Sequence, residues 1–330
     1  MIKTADVKLS KSRIGWVSAF LNRTGLLIAL TILFILLSAF APRFLTQTNL
    51  FNVLRAVAAN GIIACAMTFI IISGDIDVSV GSAMAWSSSL LGVLAIKQQW
   101  PLLAAVLFVL ASGAFIHILV GLIRVKWNVP AFVVTLTLML SYKGAAKVIT
   151  NAYPVTPFPD SFSFWGQGYV ANIIPVPALI MLIFFAVFYF ISNRTVFGRS
   201  VYSVGGNEEA ARLSGIPVWR TRVIVFALSG LLAALCGVII SSRIMSGAYN
   251  VGEGLEFDVI AAVVIGGTSL TGGTGTMIGS FLGVLFIGLI SNGMTLMGFH
   301  PYWQEVVRGI ITLIAVLTSV LQKPVSRKNY

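Results

Sequence analysis

Ten apolar segments constrain the fold of this chain more than any other feature. They cover about residues 24–41, 56–73, 82–96, 101–123, 131–149, 173–191, 223–241, 257–267, 276–296 and 304–321. Over the whole chain 58% of residues are hydrophobic and only 10% are charged, whereas soluble domains carry about 25% charged residues. This leaves too little polar surface to face water. The sequence therefore predicts an all-α polytopic membrane protein with about ten transmembrane helices, forming a single domain over residues 1–330.

Two of these segments, 82–96 and 257–267, are shorter than the roughly 17 residues that a membrane span needs at least. Each follows an acidic, glycine-flanked stretch, 74–82 in the first five segments and 252–258 in the second five. Five spans is an odd number, so two such halves would be inverted relative to each other. Interrupted segments at corresponding positions indicate a transport pathway. The alternative is a coincidence between two unrelated loops.

The basic residues predict the orientation of the chain. With the amino terminus inside, fifteen of the 22 lysines and arginines fall in inner segments, and four fall in outer ones. This bias predicts a cytoplasmic tail at 1–23, a cytoplasmic loop at 193–222 and a cytoplasmic tail at 322–330. The net charge of +12 is scattered over loops rather than gathered on one face, which argues against a nucleic-acid partner.

The polar run from Gly205 to Pro217 predicts a short helix within the loop 193–222. Asn207 is a favourable N-cap residue, and Gly215 suits the left-handed position that ends a helix. We expect Pro217 to prevent the helix from resuming. Two turns, about 10 Å of helix, are marginal in isolation. We therefore expect another protein to hold this helix.

Few residues indicate chemistry of the chain's own. The glycine-rich run 266–275 lacks the Gly-Lys-Ser/Thr ending of a nucleotide-binding loop, so we expect a close-packed connector and no ATPase activity. His117 and His300 are far apart in the sequence and predict no metal site. No Ser/His/Asp arrangement is expected either, because the candidates are dispersed among apolar segments.

The acidic stretches allow two interpretations. Asp75, Asp77 and Ser79 form either a structural turn or part of an aqueous pathway, because carboxylates at membrane depth must be solvated or paired. A transporter driven by an ion gradient would use Asp75, Asp77, Glu256 or Asp258 for coupling. A passive channel would need no energy source at all.

Four motifs together carry a family resemblance that extends over about residues 25–321. They are Ser73–Gly81, Phe197–Arg199, Gly205–Ile216 and Ala261–Gly267. With these motifs the chain resembles the membrane permeases of ribose-type ATP-binding-cassette (ABC) sugar importers. Two departures are visible: a Leu-Pro pair later in the importer motif is missing, and Asp77-Val78-Ser79 stands where the family often has Asp-Leu-Ser.

The resemblance implies partners and a location. These are a cytoplasmic ATPase that holds ATP and magnesium, a periplasmic sugar-binding protein, and a second permease copy as a homodimer in the bacterial inner membrane. It also implies that a coupling helix contacts the ATPase. The expected ATPase-coupling residues are Gly206, Asn207, Glu208, Glu209, Ala210, Ala211, Arg212 and Gly215.

Two further groups of site residues complete the prediction. A neutral sugar needs hydroxyl, amide and aromatic partners along its route. The candidate list therefore combines such residues with the acidic turn at 75–79. The pathway candidates are Asn60, Thr68, Ser73, Asp75, Asp77, Ser79, Thr135, Tyr249 and Asn292. The loop 42–55 is expected to face the sugar-binding protein, through Arg43, Thr46, Asn49 and Arg55.

Overall fold

The computed structural model describes residues 25–321, so the predicted tails 1–23 and 322–330 lie outside the described residues. Helices dominate this range. They are α1 (Gly25–Phe40), α2 (Gln47–Ile72), α3 (Val80–Gly92), α4 (Leu102–Lys126), α5 (Ala131–Thr150), α6 (Phe164–Gln167), α7 (Val176–Arg194), α8 (Val196–Gly206), α9 (Glu208–Leu213), α10 (Val218–Ile244), α11 (Leu255–Ile265), α12 (Met277–Leu296) and α13 (Pro301–Leu321). A π-helical turn, Val93–Lys97, extends α3, and a 3₁₀ helix, Asp160–Ser163, precedes α6. A small antiparallel pair joins β1 (Tyr169–Val170) to β2 (Ile174–Pro175).

Seven of the described helices are long and apolar enough to cross a membrane: α2, α3 with its π-helical extension, α4, α5, α7, α10 and α12. The predicted polytopic all-α fold is therefore confirmed. The expected total of about ten spans stays a prediction, because it also requires α1, α11 and α13.

The centre of the bundle is formed by α2 and α10. In the most apolar part of α2, 78% of residues are buried, against 17% in α5. Small residues let α10 approach its neighbours: Gly230 lies against the backbone of Gly113 on α4, and Gly237 lies against Met84 on α3. Close backbone approach through glycine and serine is typical of packing between membrane helices.

Both predicted interruptions are present. After α2 ends at Ile72, residues 75–79 have no regular secondary structure and α3 begins at Val80. In the second half, an irregular segment at 245–254 leads into α11, whose 11 residues span about 16 Å, roughly half of a bilayer core. The two interruptions meet, because a side chain at Gly81 would collide with the carbonyl of Gly252 and the carboxylate of Glu256.

One predicted boundary is wrong. The loop 42–55 is only a short turn, because α2 begins at Gln47 and Thr46 caps it by accepting a hydrogen bond from the Asn49 amide (3.3 Å). Its polar residues suggested a loop, but in the structure they are bonded to other elements. As expected, α9 does not resume before Pro217; the next helix, α10, starts immediately after it, at Val218, since proline is tolerated ahead of a first turn.

Candidate functional site

The short helix α9 occupies the place that the polar run predicts. Its N-cap, Asn207, accepts a hydrogen bond from the Ala210 amide through its side chain (2.9 Å). The chain leaves α9 through Gly215, whose φ of +79° is the left-handed conformation that favours glycine. Both ends of the helix are thus fixed by residues within α9 or next to it.

Most of α9 is exposed. Ala211 is its one buried residue, and the side chain of Leu213 is 80% exposed. On the same helix, Arg212 donates to both carboxylate oxygens of Glu209 at 2.7 and 2.8 Å, and this contact raises the pKa of Arg212 above its ordinary value. A projecting helix with an exposed leucine and fixed charges is suited to contact another protein.

Arg222 anchors the base of α9 to the transmembrane bundle. Its Nη2 donates to Glu208 Oε2 at 2.8 Å, and its Nε lies 3.2 Å from Asp75 Oδ2. Arg124, at the end of α4, donates to the other oxygen of Asp75 at 2.9 Å. The side chains of Arg222 and Asp75 are 6% and 3% exposed, so the opposite charges compensate each other where water is scarce. Through this cluster, α9 is linked to the first interrupted stretch.

Backbone contacts make a second link at the same end of the bundle. The Gly273 amide donates to the carbonyl of Ile72, the last residue of α2, at 2.8 Å. Gly205 lies directly against the same carbonyl, and the Tyr202 hydroxyl donates to the Gly275 carbonyl at 3.0 Å. The glycine-rich run 266–275 is therefore close-packed against α2 and α8, as expected of a connector.

A second polar cluster is fully buried deeper in the bundle, around Asp77. Its Oδ1 accepts from the Ser79 hydroxyl (2.6 Å), and its Oδ2 accepts from the Ser229 hydroxyl (2.7 Å). His117 Nε2 lies 3.4 Å from Asp77 and 3.2 Å from the Ser79 hydroxyl. The expectation that no serine, histidine and aspartate come together was wrong, since sequence distance does not limit contacts across helices. All four side chains are buried, and the cluster joins α4 and α10 to the segment that precedes α3.

Comparison with known proteins identifies the family. Residues 49–316 match the family model described as "Branched-chain amino acid transport system / permease component". The ribose import permease protein RbsC of Bacillus subtilis is 41% identical over 318 residues, which cover 96% of this chain and 98% of that protein. The chain belongs to the ribose-type ABC sugar permease family.

Other members of this ABC permease family match over similar lengths. The probable ABC transporter permease protein YphD of Escherichia coli K12 is 48% identical over 306 residues, with 93% of this chain and 92% of that protein covered. The xylose transport system permease protein XylH of the same strain is 33% identical over 333 residues, with 83% and 85% covered. Such permeases are transport components rather than ATPases, so the expectation of a multi-pass transport subunit is confirmed.

The structure of this ABC permease places most pathway candidates inside the bundle. Thr68 donates to Ser280 (2.7 Å), Thr135 accepts from the Val78 amide (3.2 Å), and Ser73 donates to its own helix. Asp75, Asp77 and Ser79 belong to the two polar clusters above. Asn60 is half-buried on α2. Tyr249 borders a polar cavity beside the start of α3.

The four candidates for docking the sugar-binding protein are divided between a turn and a helix. Arg43 and Thr46 lie in the turn between α1 and α2. Asn49 is buried on α2 and exchanges hydrogen bonds with Asn292 at 2.9 and 3.2 Å, which joins it to a predicted pathway residue. Arg55 donates to the Gln167 carbonyl at 3.2 Å and lies over the Tyr169 ring.

Several important residues were not found from the sequence. Arg124, Arg222, His117 and Ser229 carry the two polar clusters, yet each lies within or beside an apolar segment and forms no motif. The carboxylates of the ion-gradient alternative are separated as well: Asp258 lies 2.6 Å from Arg308, away from the Asp75 cluster. Among the described residues, no group of three or more histidine, cysteine, aspartate or glutamate side chains could hold a metal.

Proposed function

We propose that this chain is the transmembrane permease subunit of an ATP-driven importer for a monosaccharide or a similar small polyol-like solute. ATP and magnesium are held by a cytoplasmic partner ATPase, and a periplasmic binding protein delivers the solute. Two copies of the chain form the permease in the bacterial inner membrane, with both termini cytoplasmic. The names of the relatives, which include ribose and xylose permeases, support the class of solute.

One observation carries the proposal: α9 is held at the end of the bundle by Arg222 while most of its surface stays exposed. Of its six residues only Ala211 is buried, although six residues of helix are not stable alone. Asn207, Gly215 and Arg222 hold α9 in shape without covering its outer face. This arrangement leaves the side chain of Leu213 and the exposed Glu209–Arg212 pair available to contact the ATPase, as the loop 193–222 is proposed to do.

The anchoring of α9 supports an alternating-access mechanism. ATP binding closes the partner ATPases, and α9 moves with them. Because Arg222 connects Glu208 to Asp75, the motion reaches the first interrupted stretch. The start of α3, which follows this stretch, contacts the second interrupted stretch at Gly252. Rocking of two packed units about interrupted helices then opens the route to one face and afterwards to the other.

Affinity capture from native membranes tests this proposal. The wild-type chain is expected to retain an ABC ATPase, whereas Gly215→Val is expected to lose it while still inserting in the membrane. Valine at a φ of +79° costs about 1–3 kcal/mol of backbone strain, although no atom lies within 4 Å of the added Cβ. The strain should distort the end of α9.

Gly298→Val is the matched control, because Gly298 has a φ of +76° and equally open surroundings but lies between α12 and α13. It should retain the ATPase. Equal capture by Gly215→Val and the wild type would contradict the coupling role. Solute uptake by the purified chain alone, driven by a proton or sodium gradient, would instead favour the secondary-transporter alternative.

A further inference from the structure

A polar cavity lies beside the start of α3, between the two interrupted stretches. Its volume is about 110 Å³, and it is formed by the start of α3, the second half of α5 and the irregular segment 245–254. The polar side chains in its wall are Ser82, Lys143, Lys147, Tyr249, Asn250 and Glu253. The cavity therefore adjoins the place where the two interrupted stretches meet.

The position of Lys143 requires an aqueous surrounding. Helix α5 starts beside the end of α4, on the α9 side, and Lys143 lies about 10 Å before its other end at 1.5 Å per residue. That is within the span, where an ammonium group must face water, a partner charge or the protein interior. On the same helix Leu140 and Val148 are 63% and 75% exposed, which suits lipid or another copy. The lysine is thus directed to the cavity.

The charges around the cavity favour a hydroxyl-bearing solute. Lys143 Nζ and Glu253 Oε1 are 3.9 Å apart, longer than the 2.7–3.2 Å of a direct hydrogen bond. A hydroxyl group beside the pair, at hydrogen-bond distance from both atoms, can accept from the ammonium and donate to the carboxylate at once. The wall carries charges of both signs, Lys143 and Lys147 against Glu253, so it offers donors and an acceptor to the same solute. The Tyr249 ring adds an apolar surface for the C–H groups of a sugar.

We infer that this cavity is a solute-binding site of the permease for polyhydroxylated molecules such as pentoses, with Lys143, Glu253 and Tyr249 as the contacting residues. The inference rests on the proposed import function and adds where the solute binds in each copy. Hydrogen bonds to charged groups, which are stronger than those between neutral groups, replace the water that the solute loses on entering the membrane.

Cysteine labelling tests the site directly, because the two native cysteines, Cys65 and Cys236, are both buried. The full chain would carry Lys147→Cys or Asn250→Cys, which line the cavity and leave Lys143, Glu253 and Tyr249 in place, and would react with a water-soluble maleimide in membranes. Tyr153→Cys is the control, since Tyr153 is 74% exposed just beyond α5 and is not part of the cavity wall. The probes are D-ribose, L-arabinose and D-xylose, with D-gluconate as the anionic comparison.

We expect both cavity cysteines to react, and at least one pentose to slow the reaction severalfold, without changing labelling at Tyr153→Cys. Absence of labelling at both positions, absence of protection by all three pentoses, or protection by gluconate alone would overturn the inference. If the Lys147→Cys variant fails to reach the membrane, Asn250→Cys alone provides the measurement. ATPase capture is a separate assay, so failure of this site and failure of the importer proposal can be told apart.

Discussion

The guanidinium of Arg222 lies 3.2 Å from the carboxylate of Asp75, and the same side chain donates to Glu208 at the start of α9. One arginine therefore connects the helix that projects from the bundle to the first interrupted stretch. The two carboxylates differ in environment: Asp75 is 3% exposed and Glu208 is 52% exposed. This difference makes the two halves of the contact separable by mutation.

Arg222→Gln should destabilise the protein far more than Glu208→Gln. Removing one partner of a buried ion pair costs about 3–5 kcal/mol, and the low end applies because Arg124 still pairs with Asp75. Losing a half-exposed partner costs about 0–1 kcal/mol. Thermal unfolding of the detergent-solubilised variants measures both. Equal loss of stability in the two variants would show that Asp75 does not depend on Arg222.

Ser229→Ala should weaken the contact between α10 and the segment that precedes α3. The Ser229 hydroxyl donates to Asp77 at 2.7 Å, where both side chains are fully buried. A hydrogen bond to an ionised group contributes about 1.5–3 kcal/mol. Ser141→Ala is the control, since Ser141 is exposed and bonds only within its own helix. Thermal unfolding should show a clear decrease for Ser229→Ala alone; a decrease of the same size in both would contradict the role of the Asp77 cluster.

Two adjacent glycines should respond in opposite ways to alanine. A Cβ at Gly205 would collide with the Ile72 carbonyl and the Gly273 amide, whereas a Cβ at Gly206 meets no atom within 4 Å. Gly205→Ala should therefore cost about 1–3 kcal/mol through overpacking. Gly206→Ala should be neutral, or stabilising by about 0.5–1 kcal/mol, because alanine favours the helix. Expression and thermal unfolding of the two variants distinguish them, and similar behaviour would contradict the close packing of α8 on α2.

The features that the sequence predicted well have causes within a few residues. Asn207 caps α9 and Gly215 ends it because each acts on amides or dihedral angles of its immediate neighbours. Hydrophobic composition likewise determines the helical fold without knowledge of the packing. The interruptions near Gly81 and Gly252 could be located because acidic and glycine residues replace the apolar pattern there.

The features that the sequence did not reveal depend on partners far along the chain. Ser229 is 152 residues from Asp77, and His117 is 38 residues from Ser79. The start of α2 was placed too late because Asn49 has the polarity of a loop residue. Its amide is in fact bonded to Asn292, so burial and pairing, which only the packed structure provides, override local polarity.

Site-specific photocross-linking from Leu213 in intact cells tests the central proposal most directly. This side chain is 80% exposed on α9, so a photoreactive amino acid in its place should leave the fold unchanged. The proposal predicts a covalent product with an ABC ATPase on the cytoplasmic side. The absence of any such product, or access to position 213 by a reagent confined outside the cell, would contradict the proposed role of α9.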